Sequence, residues 1–192
     1  MNQNRWLGAA AFCVLLGCGG TQTAGPKTDV NEKTDQLPGG WTAAPDEINQ
    51  GDLKVRIVAV EVGSVIVKST TDAEFKSTEE TYLLVKLSLT NVREKKLPYI
   101  GWGSFAAQFG GNAATLTDER SKPYKIYKLK TFGQSAVVQG QLNSVNITRV
   151  KPRQDLLVFE TPPSDVQVLL LELPGINYGH KEPILLRIER NP

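Results

Sequence analysis

The sequence predicts an all-β fold: one antiparallel β-sandwich domain behind an apolar leader and a flexible linker. Three observations predict it. Short runs rich in valine, isoleucine, leucine and threonine recur from Asp52 to the C-terminus. Turn residues separate them, and no stretch of the same region carries the apolar period of an amphipathic helix. The chain has 192 residues and a formal net charge of +2, enough for one domain and a tail, and too balanced to imply a nucleic-acid partner.

The strands follow in order. In Leu53-Lys54-Val55-Arg56-Ile57 apolar and basic residues alternate strictly, the period of a half-buried strand. Glu61 to Lys68 reads as a second strand after a kink at Gly63. Tyr82 to Thr90 is the clearest case. Leu83, Val85, Leu87 and Leu89 share one face, and Leu84, Lys86, Ser88 and Thr90 take a mostly wet one. Leu97–Gly101, Ala114–Asp118, Tyr124–Leu129, Ser144–Arg149, Asp155–Glu160, Val166–Leu173 and Ile184–Glu189 continue the series. Val168-Leu169-Leu170-Leu171 is apolar on both faces, which fits a central strand covered on both sides. A short buried helix is the competing reading, and Pro174-Gly175 ends it too soon. Many short strands at such intervals suggest a sandwich.

Ahead of the strands, Arg5 supplies positive charge, Trp6 to Leu16 are mostly apolar or small, and Gly17 precedes Cys18. About eleven residues are too few to cross a hydrocarbon core, which takes about 20. A charged start, a short apolar run and a small residue before the cut read as a signal peptide. Leu15-Leu16-Gly17-Cys18 resembles the lipobox of bacterial lipoproteins, whose cysteine is acylated and becomes the first mature residue. The resemblance implies a leader over residues 1–17, acyl chains on Cys18, and a domain held at a membrane outside the cytoplasm. Two chains anchor stably, at about 0.8 kcal/mol per buried methylene, where one is marginal. Gly19 follows the cysteine in place of an inner-membrane retention acid. That favours the outer membrane in a host with two membranes; with one, the protein sits on the outer face of the plasma membrane. The alternative is an ordinary secretory signal that releases a soluble protein.

Residues 18–50 are poor in apolar side chains and rich in glycine, proline, threonine and aspartate, the composition of a flexible linker. About 30 such residues span roughly 30 Å. Trp41 interrupts the polarity and reads as a plug for the open end of the domain, residues 51–192. Cys13 leaves with the leader and Cys18 is acylated, so no disulfide can form and stability rests on the packed core.

Tyr82 to Asn91, followed by Lys95-Lys96-Leu97, resembles a strand of an immunoglobulin-like extracellular domain common in bacterial lipoproteins and known mainly as a domain of unknown function. Ala114-Thr115-Leu116-Thr117-Asp118 with Pro123-Tyr124 is similar to the strand, turn and tyrosine that follow in that family. Lys151 to Pro162 is similar to its late turn and strand. The likeness spans about Asp52 to Glu189. It departs at Pro152-Arg153, where the family has Pro-Gly, and at the long aromatic segment from Gly101 to Gly111. It implies an immunoglobulin-like β-sandwich used as a binding or structural module, with no catalytic residues to carry over.

Little in the sequence supports catalysis. One histidine and no available cysteine fall short of a zinc site, and His180 lies in a polar loop. No Gly-x-Ser-x-Gly elbow and no phosphate- or dinucleotide-binding glycine loop is present. No cofactor is expected, and the linker acids form no calcium loop. Asp118-Glu119 reads as a pair of solvated turn charges. Carboxylates paired only by the fold leave a small envelope glycan hydrolase as the rival function. Two binding candidates remain. Tyr99, Trp102, Phe105 and Phe109 lie in a glycine-rich stretch, as interface anchors or as inter-sheet core. Arg120, Lys122, Lys125, Lys128 and Lys130, with Tyr124, Tyr127 and Phe132 interleaved, would meet anionic head groups or an acidic polymer, or guard a sheet edge. The expected partners are a membrane, through the lipid anchor, and an envelope protein or cell-wall polymer.

Overall fold

Alternation of apolar and polar side chains builds two facing sheets. The computed structural model describes residues 41–45, 47–69, 74–104, 107, 112–127 and 136–190. The first sheet contains β2 (Glu47–Gln50), β3 (Leu53–Gly63), β6 (Tyr82–Asn91) and β12 (Arg153–Phe159), in the order β12-β6-β3-β2. The second contains β1 (Trp41–Ala44), β8 (Thr115–Asp118), β9 (Pro123–Tyr124), β13 (Val168–Leu173) and β14 (Ile184–Arg190), in the order β1-β14-β13-β8-β9. All pairings are antiparallel. The fold is an all-β sandwich, as the sequence predicts.

Between the sheets, Leu83, Val85, Leu87 and Leu89 of β6 are fully buried, as the alternation requires. They pack with Val55 and Ile57 of β3 and with Leu169, Leu171 and Ile188 of the opposite sheet. Each such side chain contributes about 1.5–3 kcal/mol on burial. A register shift between Ile57 and Ala59 inserts one extra residue into β3, so the inward positions pass from Leu53, Val55 and Ile57 to Val60.

The outer face of β6 is not wet throughout. β4 (Ile66–Ser69), β5 (Lys76–Ser77) and β10 (Ala136–Val138) form a small sheet. Its Val138, with Val65, closes over Tyr82, Leu84 and Val158 in a second apolar cluster. Conversely β13, expected to be covered on both sides, buries Leu169, Leu171 and Leu173 and leaves Leu170 44% exposed. Being central in a sheet satisfies its backbone; it does not cover both faces. β7 (Leu97–Ile100) and β11 (Ser144–Ile147) form a two-stranded ribbon whose Leu97, Tyr99 and Ile147 join the main core.

Two segments change sheets. Trp41–Gln50, assigned to the linker on composition, instead forms β1 against β14 and then β2 against β3. Its two short strands lack the length that composition rewards. Trp41 is buried and lies under Arg190, whose guanidinium sits 4.5 Å from the ring centroid. On the other side, Pro123-Tyr124 pairs with β8, and the chain then bridges to β12 through Ile126 and Phe159. The strand expected from Tyr124 to Leu129 is therefore broken between two sheets over its described part, and residues 128–129 lie outside the described residues.

Gly101 makes a backbone approach that only hydrogen permits. Its N–H donates to the Asn143 carbonyl at 2.7 Å, and a Cβ would run into the Leu142 carbonyl. Gly101→Ala is expected to lower stability by about 1–3 kcal/mol in urea denaturation. At Gly63 a Cβ would meet the Leu84 side chain at an ordinary 3.7 Å, so Gly63→Ala should cause no such loss.

Candidate binding groove

The aromatic candidates lie inside. Tyr99 and Trp102 are fully buried, so they present no surface to a partner, and the inter-sheet reading of these two is the correct one. Their rings meet edge to face at 5.0 Å, and Trp102 meets Tyr178 in the same way at 6.2 Å. The indole N–H of Trp102 donates to the Pro174 carbonyl at 2.9 Å. Together they weld the segment after β7 to the 3-10 turn Gly175–Tyr178. Phe105, Phe109, Lys128, Lys130, Phe132 and Cys18 lie outside the described residues.

Beneath Trp102 sits a buried acid that the sequence placed on a strand without a role. The Asp155 carboxylate accepts from the Tyr99 hydroxyl at 2.5 Å and from the Leu142 and Leu156 N–H groups at 2.8 and 2.9 Å. Burial pushes its carboxyl up to about 6, against the pull of those donors. The Tyr99 hydroxyl is pushed well up by burial and by the neighbouring carboxylate.

Asp118 and Glu119 separate. Glu119 is exposed, whereas Asp118 is buried and is not a solvated turn charge. One Asp118 oxygen accepts the Arg120 and Lys122 N–H groups, both at 2.9 Å, and the other accepts the Tyr124 hydroxyl at 3.0 Å. Burial alone would raise its carboxyl, but the Lys122, Tyr124 and Arg120 donors outweigh it and hold the group below its usual range. Burial and the adjacent Asp118 push Tyr124 up to about 12. This clasp closes the β8–β9 turn, where Ser121 takes a left-handed φ of 62°.

The basic run disperses. Arg120 pairs with Asp165 at 3.5 Å, and the Lys122 ammonium lies 5.4 Å from the Tyr124 ring centroid. Lys125 is exposed and stands on a groove at the edge where the chain changes sheets. The groove encloses about 980 Å³. Ala114, Leu116, Tyr124, Tyr82, Ile126 and Tyr127 line it, with Glu80 and Glu160 as acidic lining residues. The Tyr82 and Tyr127 rings are tilted at 4.4 Å, and the Tyr82 hydroxyl donates to Glu80 at 2.7 Å. The Thr161 hydroxyl donates to the Thr81 carbonyl at 2.9 Å and ties the groove's two acidic segments together.

Of the nine aromatic and basic candidates, Lys125 is the only one among the described residues that lines this groove. Glu80, Tyr82, Leu116 and Glu160 come from segments distant in sequence, each of which reads locally as an ordinary strand or strand end. Interleaved Tyr124 and Tyr127 were the one signal that pointed here. His180 is half-buried and stacks on Tyr178 at 6.0 Å, so it is not a free surface histidine. Among the described residues no group of histidine, cysteine and acidic side chains could hold a metal ion.

Fold and groove together define an antiparallel β-sandwich with an open, tyrosine-lined trough at one bridged edge. No family model matches the chain, and no curated protein matches it. Among solved structures it is similar to ycdA, a candidate lipoprotein of Bacillus subtilis, with 17% identity and a TM-score of 0.45 over 76% of this chain. The chain spans only 38% of that protein's length. It is also similar to the yjhA protein of Bacillus subtilis, with 10% identity and a TM-score of 0.48, over 73% of this chain and 94% of that one.

Tyr99→Phe should lower stability by about 1–3 kcal/mol, because the Asp155 oxygen it served stays buried without a donor; thermal or urea unfolding reads it. Asp155 also sets a pH dependence. Between the unfolded value near 3.8 and the folded value of about 6, the native chain holds a proton that the unfolded chain has shed. Stability is therefore expected to fall as pH rises from about 4 to about 6, by on the order of 3 kcal/mol, and to level above that. Urea midpoints of the parent and Asp155→Asn across this window should show the slope in the parent and its loss in the variant.

Proposed function

We propose that this chain is a lipid-anchored cell-envelope protein whose β-sandwich is a non-catalytic binding module, and that the trough beside Lys125 holds its ligand, a protein segment or an envelope polymer. The observation that carries the reading is the trough itself. Its 980 Å³ falls at the upper end of ligand-site sizes, and mostly apolar walls with a few polar groups are the usual composition of such sites. Tyrosines offer flat apolar faces with a polar tip, which suits a chain laid along the trough.

The leader and Cys18 support the anchor. The order of the principal strands supports the immunoglobulin-like reading: β3-β6-β12 and β14-β13-β8 correspond to the A-B-E and G-F-C strands of that sandwich. This is fold-level analogy and names no ligand. Asp118 and Asp155 support a non-catalytic role, since three donors each already occupy their carboxylates. Glu80 and Glu160 both line the trough and are the pair that the glycan-hydrolase alternative would use.

Cross-linking in cells of the host, followed by identification of what co-purifies, tests the module. Ala113→Trp fills the trough and Lys125→Glu reverses its exposed cation. Both variants should fold and lose the recurrent partner. Turnover of envelope glycan by the purified chain, abolished by Glu160→Gln, would replace this reading with the hydrolase. For the anchor, palmitate labelling is expected for the parent and not for Cys18→Ala, which should leave the membrane fraction.

A further inference from the structure

Apart from the trough, the fold gathers a basic surface at one end. Trp41 pairs with Arg190 at the end where β14 finishes. The opposite end carries the loop after β6, Val92 to Lys96, and the turn after β11, Thr148 to Pro152. In sequence these are Arg93-Glu94-Lys95-Lys96 and Arg149-Val150-Lys151-Pro152-Arg153, more than fifty residues apart. Neither run is long enough to signal a site alone.

Asn91 joins them. It is fully buried, and its amide nitrogen donates to the Lys95 carbonyl at 2.6 Å and to the Ile147 carbonyl at 3.0 Å. Its oxygen accepts the Arg93 N–H at 2.9 Å. Leu97 and Ile147 pair directly, and Thr148 bridges to Lys151. Both basic loops are thus fixed to one buried side chain. Six cations, Arg93, Lys95, Lys96, Arg149, Lys151 and Arg153, lie here against Asp52 and Glu94, in a chain whose formal net charge is only +2.

The pairing leaves most of that charge free. Arg93 pairs with Asp52, and Arg149 reaches Glu94 only at 3.8 Å in an exposed pair, an arrangement worth little in water. Lys95, Lys96, Lys151 and Arg153 are exposed. No carboxylate among the described residues forms an ion pair with them.

We infer that this end binds an acidic polysaccharide, through exposed ammonium and guanidinium groups that meet negative charges spaced along the polymer. A pocket of about 190 Å³ beside Arg93 is lined by Gly51, Asp52, Tyr178, Gly179 and His180 and by none of Lys95, Lys96, Lys151 and Arg153, so the exposed cations suit a linear polyanion better than a single small anion. Neither loop carries an aromatic side chain on which bases would stack, as single-stranded nucleic acid requires. The apolar groups are two valines, Val92 at 41% and Val150 at 94% exposed, not the Trp, Phe or Leu face that enters a lipid interface. Asn91 is the positioning residue. This inference needs neither the lipid anchor nor the trough.

The test is fluorescence anisotropy of labelled polygalacturonate with the full chain. Binding is expected at 50 mM salt and should weaken about tenfold or more by 200 mM, as counterion release demands. Lys96→Glu with Lys151→Glu should weaken binding at least tenfold. Arg120→Glu with Lys122→Glu, an equal charge change at the other end, should alter it less than twofold. Equal losses in the two charge variants would reduce the effect to net charge and overturn the site. Absence of binding at 50 mM salt would overturn it as well. Tighter binding to phosphatidylglycerol vesicles, with the same dependence on Lys96 and Lys151, would make a membrane surface the occupant and refute the polysaccharide.

Discussion

The structure depends on how its open sheet edges are closed. Two sheets that share an apolar core expose it along both flanks unless something spans the gap. Here the chain itself does so twice, through Trp41–Gln50 on one flank and through Pro123 to Tyr127 on the other. Each crossing pairs first with one sheet and then with the other, so its backbone groups stay satisfied while its side chains seal the flank. The first crossing buries Trp41 beneath Arg190. The second borders the trough, whose lining includes Pro123, Tyr124, Lys125, Ile126 and Tyr127.

Buried polar side chains then hold the loops. Asn91, Asp118, Asp155 and Asn177 are nearly closed to solvent, and each is hydrogen-bonded through both of its side-chain polar atoms. Asn177 illustrates the pattern: its nitrogen donates to the Ile100 carbonyl at 2.9 Å, and its oxygen accepts the Asn112 N–H at 3.1 Å. An unmet group of this kind costs about 1–3 kcal/mol, so each loop has one arrangement in which its clasp is paid for. No cysteine lies among the described residues, so such clasps tie the loops there. Two of them border surfaces with proposed roles. Asp118 closes the turn next to the trough, and Asn91 fixes the basic end.

The two proposed surfaces lie in different parts of the sandwich and use different physics. The trough is mostly apolar, with tyrosine tips and two glutamates, and would select by shape. The basic end is exposed, nearly free of apolar groups and selects by charge, so it responds to salt.

The period-two pattern of Leu83, Val85, Leu87 and Leu89 was legible because alternation is a local consequence of strand geometry. The resulting sandwich, with the strands at Leu53, Tyr82, Asp155 and Ile184, followed from it. Short elements such as Trp41–Ala44 and Lys76–Ser77 were not legible, since their stability comes from the strand they join. Trp102 and Tyr99 could be read as core or as contact, because an aromatic side chain has the same composition in either place. Asp118 read as a solvated turn charge although its donors Arg120, Lys122 and Tyr124 follow it closely in the chain, whereas Asp155 read only as part of a strand, since Tyr99 and Leu142 reach it from elsewhere. By itself, then, the sequence determined the secondary-structure class and the inward face of the strand that carries Leu83, Val85, Leu87 and Leu89, both of which depend on neighbours within a few residues. Only the tertiary structure decided which aromatics are buried, that Lys125, Glu80 and Glu160 line one trough, and that Lys96 and Lys151 share a surface. Those depend on pairing between distant strands, and no local pattern encodes it.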